Sequence, residues 1–230
     1  MALLSEKYIV YEDNHLIVAN KRPGELVQGD ITGDEPLLEK VRQYIKETYK
    51  KPGNVYCGLV HRLDRPTSGL VVFAKTSKAL TRLNALFHDR EVEKTYYAIT
   101  KIALQPAQGK LTHYLKKNSA KNKSFVSHPE IKGAREARLN YRQIGSSKSF
   151  YLYEVELLTG RHHQIRAQFA AAGAPLKGDL KYGFPRSNSD GSISLHAGKM
   201  VLVHPVSKEK LTFKAAYPGS DAIWKQFNYS

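Results

Sequence analysis

His61-Arg62-Leu63-Asp64-Arg65-Pro66-Thr67-Ser68-Gly69, followed directly by Leu70-Val71-Val72-Phe73-Ala74-Lys75, is the stretch from which the rest of the chain can be read. Its second half is a short apolar run, which predicts a buried strand. Its first half sets one carboxylate, Asp64, between the guanidinium groups of Arg62 and Arg65, and Pro66 and Gly69 punctuate a turn into that strand. A carboxylate flanked by cations on a loop entering a sheet stays ionised near neutral pH. The cations beside it can meet an anionic polymer. The same arrangement also describes a solvated surface cluster, so its meaning depends on the surrounding chain.

Outward from this stretch, strands dominate and helices are inserted singly. Tyr8–Tyr11 and Leu16–Ala19 read as short strands separated by a Glu12-Asp13-Asn14 turn. Asp34 is a predicted helix cap with Pro36 in the first turn. Leu37, Leu38, Val41, Tyr44, Ile45 and Tyr49 then share one helical face, and Gly53 stops the helix. Ser77 is the predicted cap of a second helix carrying Leu80, Leu83, Leu86 and Phe87. Strand is expected over 96–102, in short runs between turn signals over 110–141, and again over 150–158, 193–203 and 211–215. A third helix is expected over 162–172, ended by Gly173, and a short one over 221–227. With no regular alternation of strand and helix, this is an α+β pattern with a largely antiparallel sheet.

Composition narrows the partner. The 230 residues carry 36 Lys and Arg against 21 acids, a formal charge of +15 and a pI near 9.7, the footprint of a protein that meets a polyanion. No long apolar segment or lipidation signal points to a membrane. The opening Met1–Glu6 is too short and too soon acidic for a signal peptide. Cys57 is the single cysteine, which excludes an internal disulfide and fits a reducing cytoplasm. Cys57 is expected to be a small buried hydrophobe.

The stretch around Asp64 resembles the catalytic motif of the RluA-type RNA pseudouridine synthases, His-Arg-Leu-Asp followed by Thr-Ser-Gly. Four further segments resemble that family in the same order. They are Glu93-Lys94-Thr95-Tyr96-Tyr97-Ala98, Thr159-Gly160-Arg161-His162-His163-Gln164-Ile165-Arg166, Pro175-Leu176-Lys177-Gly178-Asp179 with Tyr182-Gly183, and the closing Leu195-His196-Ala197 with His204-Pro205. One departure stands near the N-terminus, where the family tends to read Lys-Pro-x-Gly and this chain reads Lys21-Arg22-Pro23-Gly24.

The resemblance implies two sheet-based halves flanking a central active-site cleft, the pseudouridine synthase catalytic fold. It implies an isomerase that modifies a uridine in structured ribosomal or transfer RNA. The expectation is one catalytic domain over residues 1–230, without the small S4-type RNA-binding domain often found ahead of it. Only about seven residues precede the first predicted strand. Asp64 is the implied catalytic carboxylate. An ionised Asp can act as nucleophile, as base at the sugar, or as the charge that stabilises an oxocarbenium-like state, and each role needs one well-oriented carboxylate. Spacing alone makes Arg166 a surface cation and Tyr96 a packing residue. The resemblance implies instead that Arg166 pairs with Asp64, and that Tyr96 stacks on the extruded uracil with its hydroxyl near the C5 proton.

Arg62 has two readings, a phosphate contact or a planar cation that fills the gap left by a flipped uridine. Arg65, Lys75 and Arg161 are candidate phosphate contacts. The run Lys116–Lys123 reads as a solvated charge run or a mobile RNA-gripping loop. No cofactor is expected, because no phosphate-cradling glycine loop is present. No metal is expected either, because His162 and His163 are adjacent rather than one helical turn apart, and no cysteine cluster supports them. His163, His196 and His204 are expected to be hydrogen-bonded structural residues. The RNA partner is expected to meet a monomer. A non-catalytic RNA-binding module would not need Asp64, Tyr96 and Arg166 together. A glycoside hydrolase would need a second motif carboxylate as general acid.

Overall fold

A computed structural model describes residues 8–219 and 221–227. The opening six residues, read above as lacking a signal peptide, lie outside the described residues. Along the chain the elements are β1 (Ile9–Glu12), β2 (Leu16–Lys21), α1 (Leu37–Thr48), β3 (Gly58–Leu59), β4 (Ser68–Ala74), α2 (Ser77–His88) and β5 (Glu93–Thr100). There follow β6 (Gln108–Asn118), β7 (Lys123–Ser127), β8 (Arg135–Ser146), β9 (Tyr151–Leu157), α3 (Gln164–Ala171), β10 (Leu195–Val203) and β11 (Lys210–Lys214), with short 3-10 turns at Leu180–Tyr182 and Ala222–Gln226. The chain forms two compact units. Unit 1 runs to Glu93 and takes up Ala197–Tyr217, and unit 2 holds Lys94–His196 and the segment from Pro218. The α+β class and the antiparallel pairing agree with the sequence reading.

In unit 1 the predicted buried strand is β4, and every residue of it is buried. It pairs antiparallel with β2, Val18 opposite Val72 and Lys21 opposite Gly69. Leu16, Val18, Leu70 and Val72 pack with Ala79 and Leu83 of α2 and with Met200, Leu202 and Phe213. Fully burying each such aliphatic side chain is worth about 1.5–3 kcal/mol, so this cluster anchors the loop before β4. At its entry Gly69 has φ +116°, and a Cβ there would lie 2.3 Å from the Ala197 carbonyl oxygen, so only glycine fits.

Unit 2 is an antiparallel sheet in the order β5-β9-β8-β6-β7. Its core gathers Ala98, Leu139, Tyr153 and Val155 from the strands with Ile165 and Phe169 from α3. In β9, Leu152 is buried along with Tyr153 and Val155.

Local boundaries differ from expectation for identifiable reasons. Pro36, not Asp34, precedes α1 as its cap, and no side chain caps that end. Asp34 instead accepts from Arg65 at 2.6 Å. Tyr49, placed on the apolar face by its spacing, is exposed just past the end of α1, with the Lys75 ammonium 4.6 Å from its ring. The cap of α2 is Thr76, whose Oγ1 accepts from the Ala79 N–H at 3.2 Å, one residue before the expected Ser77. α3 begins at Gln164, later than predicted, because His163 adopts a left-handed φ of +53°. The Lys116–Lys123 run is built into a hairpin. It is the end of β6, a tight turn and the first residue of β7.

Candidate active site

In unit 1 Asp64 sits at the head of the turn before β4, its carbonyl accepting from the Thr67 N–H at 3.0 Å. Next in the turn is Arg65, whose carbonyl accepts from the Gly24 N–H at 2.9 Å and from the Lys21 ammonium at 3.0 Å. The Arg65 side chain returns the contact, donating from Nε to the Gly24 carbonyl at 3.0 Å. The departing segment Lys21-Arg22-Pro23-Gly24 is therefore a turn with Gly24 at φ +84°, laid directly against the Asp64 loop.

Lys21 is the feature that sequence reasoning missed. It is 1% exposed, and its ammonium also donates to the Arg22 carbonyl at 2.9 Å. Burial pushes its pKa down to about 8, while the negative charges of Glu25 and Asp64 oppose that fall. A buried cation thus stands close enough to Asp64 to feel its charge. The signal available in the sequence was a lysine two residues after the apolar run Leu16–Ala19.

His61 packs inward beneath the same stretch. Its Nε2 accepts from the Val72 N–H at 3.1 Å, and its ring stacks on Phe87 at 4.7 Å. Arg62 is exposed, with one long bond of 3.3 Å to Gln28 Oε1. Lys75, read as a phosphate contact, turns inward. Its side chain is 7% exposed and pairs with Glu12 at 2.6 Å. Arg65 remains half-exposed but is already paired with Asp34.

In unit 2 Arg166, in α3, is buried rather than on the surface. Asp179 grips it in two places, Nε to Oδ2 at 2.7 Å and a terminal nitrogen to Oδ1 at 2.9 Å. Bidentate geometry of this kind fixes the plane of the guanidinium. The Arg166 guanidinium carbon also lies 5.1 Å from the centre of the Tyr182 ring. Asp179 and Tyr182 belong to the motif that follows α3, yet nothing in their spacing assigned them a role. Tyr96 lies in β5, paired with Val155, its ring half-buried against the unit 2 core. Arg161 donates from Nε to the Glu136 carbonyl at 2.9 Å.

His163 and His204 are built into hydrogen-bond networks. His163 is buried, 3.0 Å from the Tyr182 hydroxyl through Nδ1, and burial with the nearby Arg166 charge pushes its pKa down to about 2. His204 accepts two backbone N–H groups at Nδ1 and reaches Asp13 through Nε2 at 2.9 Å. His196 is buried, its ring 6.0 Å from that of Trp224. Among the described residues no three His, Cys, Asp or Glu side chains gather as a metal would require, and no helix is long and apolar enough to cross a membrane. Cys57 is buried and its thiol is pushed up to about 12.

Comparison with known proteins agrees with these motifs. The family model described as RNA pseudouridylate synthase matches residues 15–171. The ribosomal large subunit pseudouridine synthase D of Yersinia pestis is 34% identical over 224 residues, covering 91% of this chain and 67% of that protein. The tRNA pseudouridine synthase C of Vibrio parahaemolyticus is 30% identical over 240 residues, covering 96% of this chain and 93% of that protein. The solved structure of human RNA pseudouridylate synthase domain containing 4 has the same fold, with a TM-score of 0.79 at 24% identity over 92% of this chain and 88% of that one. The chain belongs to the RNA pseudouridylate synthase family. Within it, the chain is an isomerase of the RluA type whose substrate is RNA.

Proposed function

We propose that this protein isomerises a specific uridine in a structured stem-loop of ribosomal or transfer RNA, with Asp64 as the catalytic carboxylate. The names of the two bacterial relatives place one on the large ribosomal subunit and the other on transfer RNA. In the reaction the N1–C1′ bond breaks, the uracil turns, and C5 joins C1′. The C5 proton is lost and N1 gains one, so the product is an isomer and no external reductant or energy source is consumed.

The observation that carries the assignment is the buried Arg166–Asp179 pair. A surface helix cation has no reason to be buried and gripped at two points, since that costs desolvation of both charges. The grip uses two of the five guanidinium N–H donors, and the remainder suit a second carboxylate. In this reading Arg166 holds Asp64 ionised and aimed, with Lys21 behind the Asp64 turn. Tyr96 stacks on the uracil and its hydroxyl serves the C5 proton. The two units act as one catalytic domain. Exposed Arg62, with its single long hydrogen bond, is free to swing into a stack vacated by a flipped uridine. Arg65 and Arg161 serve phosphates only with whatever their internal bonds leave. No cofactor takes part, and the enzyme works as a cytoplasmic monomer, which the single buried cysteine suits.

Tritium release tests the reaction, because forming pseudouridine expels the C5 hydrogen. Purified protein with excess chelator should release label from a C5-tritiated stem-loop that folds without magnesium. No release from any structured ribosomal or transfer RNA would end the proposal. Chemical mapping of pseudouridine in total RNA, with and without the gene, identifies the site.

A further inference from the structure

From Lys94 to Pro129 the chain holds seven lysines and no acidic residue. Four of these lysines fall in the hairpin of β6 and β7, where Lys116 stands opposite Phe125 and Asn118 opposite Lys123. Strand alternation puts Lys116, Lys123 and Phe125 on the face opposite to the one that buries Leu115 and Ser124, and Lys121 lies in the turn between the strands. Phe125 is 40% exposed there. An exposed aromatic ring among unopposed cations has no packing rationale, whereas a base with its phosphates would satisfy both features.

The hairpin is also held rigidly, which distinguishes it from a solvated charge run. β7 is the last strand of its sheet, so the Ser124 N–H and carbonyl face outward. The Tyr182 hydroxyl takes both, accepting from the N–H at 2.9 Å and donating to the carbonyl at 3.1 Å. His162 bridges Ser124 Oγ and Asn122 Oδ1 at 2.9 and 3.1 Å, and Lys181 donates to the Asn122 carbonyl at 3.2 Å. The Lys123 ammonium lies 5.4 Å from the Phe125 ring and 4.8 Å from the Tyr182 ring, and Arg166 lies against that same tyrosine. Alternating aromatic and cationic groups thus lead from the exposed Phe125 to the buried Arg166.

We infer that the β6–β7 hairpin is an RNA-docking surface. An unstacked nucleotide outside the target position lies on Phe125, and Lys116 and Lys121 take the neighbouring phosphates. The inference rests on the reading of the chain as an RNA-modifying enzyme, and to the charged run already noted it adds a stacking ring, Phe125, and a rigid platform. Base stacking on an aromatic side chain is sequence-tolerant, so this surface supplies affinity and register rather than the choice of base.

The test measures affinity of the full chain for a fluorescent stem-loop across a salt series, alongside turnover at saturating RNA. Phe125→Ala should weaken binding about fivefold to a hundredfold, and Phe125→Trp should restore it. Lys116→Ala with Lys121→Ala should lower the salt slope by about two. Lys50→Ala with Lys51→Ala, a basic pair after α1, is the control and should change affinity less. Turnover by Phe125→Ala at saturating RNA should stay within about twofold of the parent. That separates this proposal from the catalytic one, whose failure would show as parental turnover by Asp64→Asn. Parental affinity in Phe125→Ala, a lysine pair no different from the control, or a loss of turnover at unchanged affinity would each overturn the docking surface. A change in self-association with RNA affinity unchanged would assign the patch to a second copy of the chain and overturn it too.

Discussion

The two halves of the proposed chemistry are held in place by different means. In unit 1 the turn carrying Asp64 is braced through main-chain carbonyls, by the Gly24 N–H and the Lys21 ammonium. In unit 2 Arg166 is held by side chains, with Asp179 at its edge and Tyr182 at its face. A backbone brace tolerates loss of one donor, because the others keep the turn. A buried ion pair does not, because the survivor is left as an uncompensated charge. The comparison therefore predicts robustness around Asp64 and brittleness around Arg166.

The largest effect should come from breaking the brittle side. Asp179→Ala leaves Arg166 buried without its carboxylate, and denaturant unfolding should show a loss of about 3–5 kcal/mol. Turnover should fall with it, whereas Asp179→Asn, which keeps the shape and one of the two acceptor oxygens, should fall less. Equal stability for parent and Asp179→Ala would mean the grip contributes nothing.

Next comes Arg62, which has no structural duty in unit 1 beyond one long hydrogen bond. Arg62→Ala should slow modification of a structured stem-loop about tenfold to a hundredfold more than that of a flexible oligonucleotide with the same uridine. Filling a vacated stack is worth roughly 1–3 kcal/mol only where stacking must be broken. Equal losses on both would reduce Arg62 to a phosphate contact.

Lys21→Met sharpens the robust side. It removes one donor to the Arg65 carbonyl but also a costly buried ammonium, so stability should change by only about 1 kcal/mol near pH 7. The pH dependence carries the clearer signature. With a folded pKa near 8, below the usual 10.5, the unfolded chain binds more protons between those values. Parent stability should gain from Lys21 as pH rises from about 8 to 10.5, and Lys21→Met should lose that gain.

The last effect, confined to the acid limb, concerns His163. Its folded pKa near 2 lies below the ordinary 6.5, so acid protonates the unfolded chain first. Its contribution is intact above pH 6.5 and is lost progressively as pH falls toward 2. His163→Gln should flatten that part of the acid limb, and an unaltered limb would assign acid lability to other groups.

What the sequence displayed and what it hid divides along the same line. The β4 run, the Asp64 turn and the faces of α1 and α2 depend on neighbours a few residues away, and periodicity finds them. Helix caps slipped by one or two residues because Thr76 rather than Ser77 offered the hydroxyl and Pro36 entered without a cap. Lys75 could not be read as buried, because its partner Glu12 lies 63 residues earlier. Lys21, Asp179 and Tyr182 were quoted with their motifs, but their partners are also distant in sequence. Charge in a run says nothing of its partners, and for Lys75 and the hairpin lysines the partners made the difference.

The most direct test of the account compares Asp64→Asn with the parent in three readouts: thermal unfolding, RNA affinity and tritium release from a C5-labelled stem-loop. The backbone brace around the turn does not depend on the carboxylate, so unfolding and affinity should stay near parental values. Release should fall to background, because the amide is neither charged nor nucleophilic. Tritium release at the parental rate from a folded, RNA-binding Asp64→Asn protein would contradict the central claim and move the chemistry to another residue.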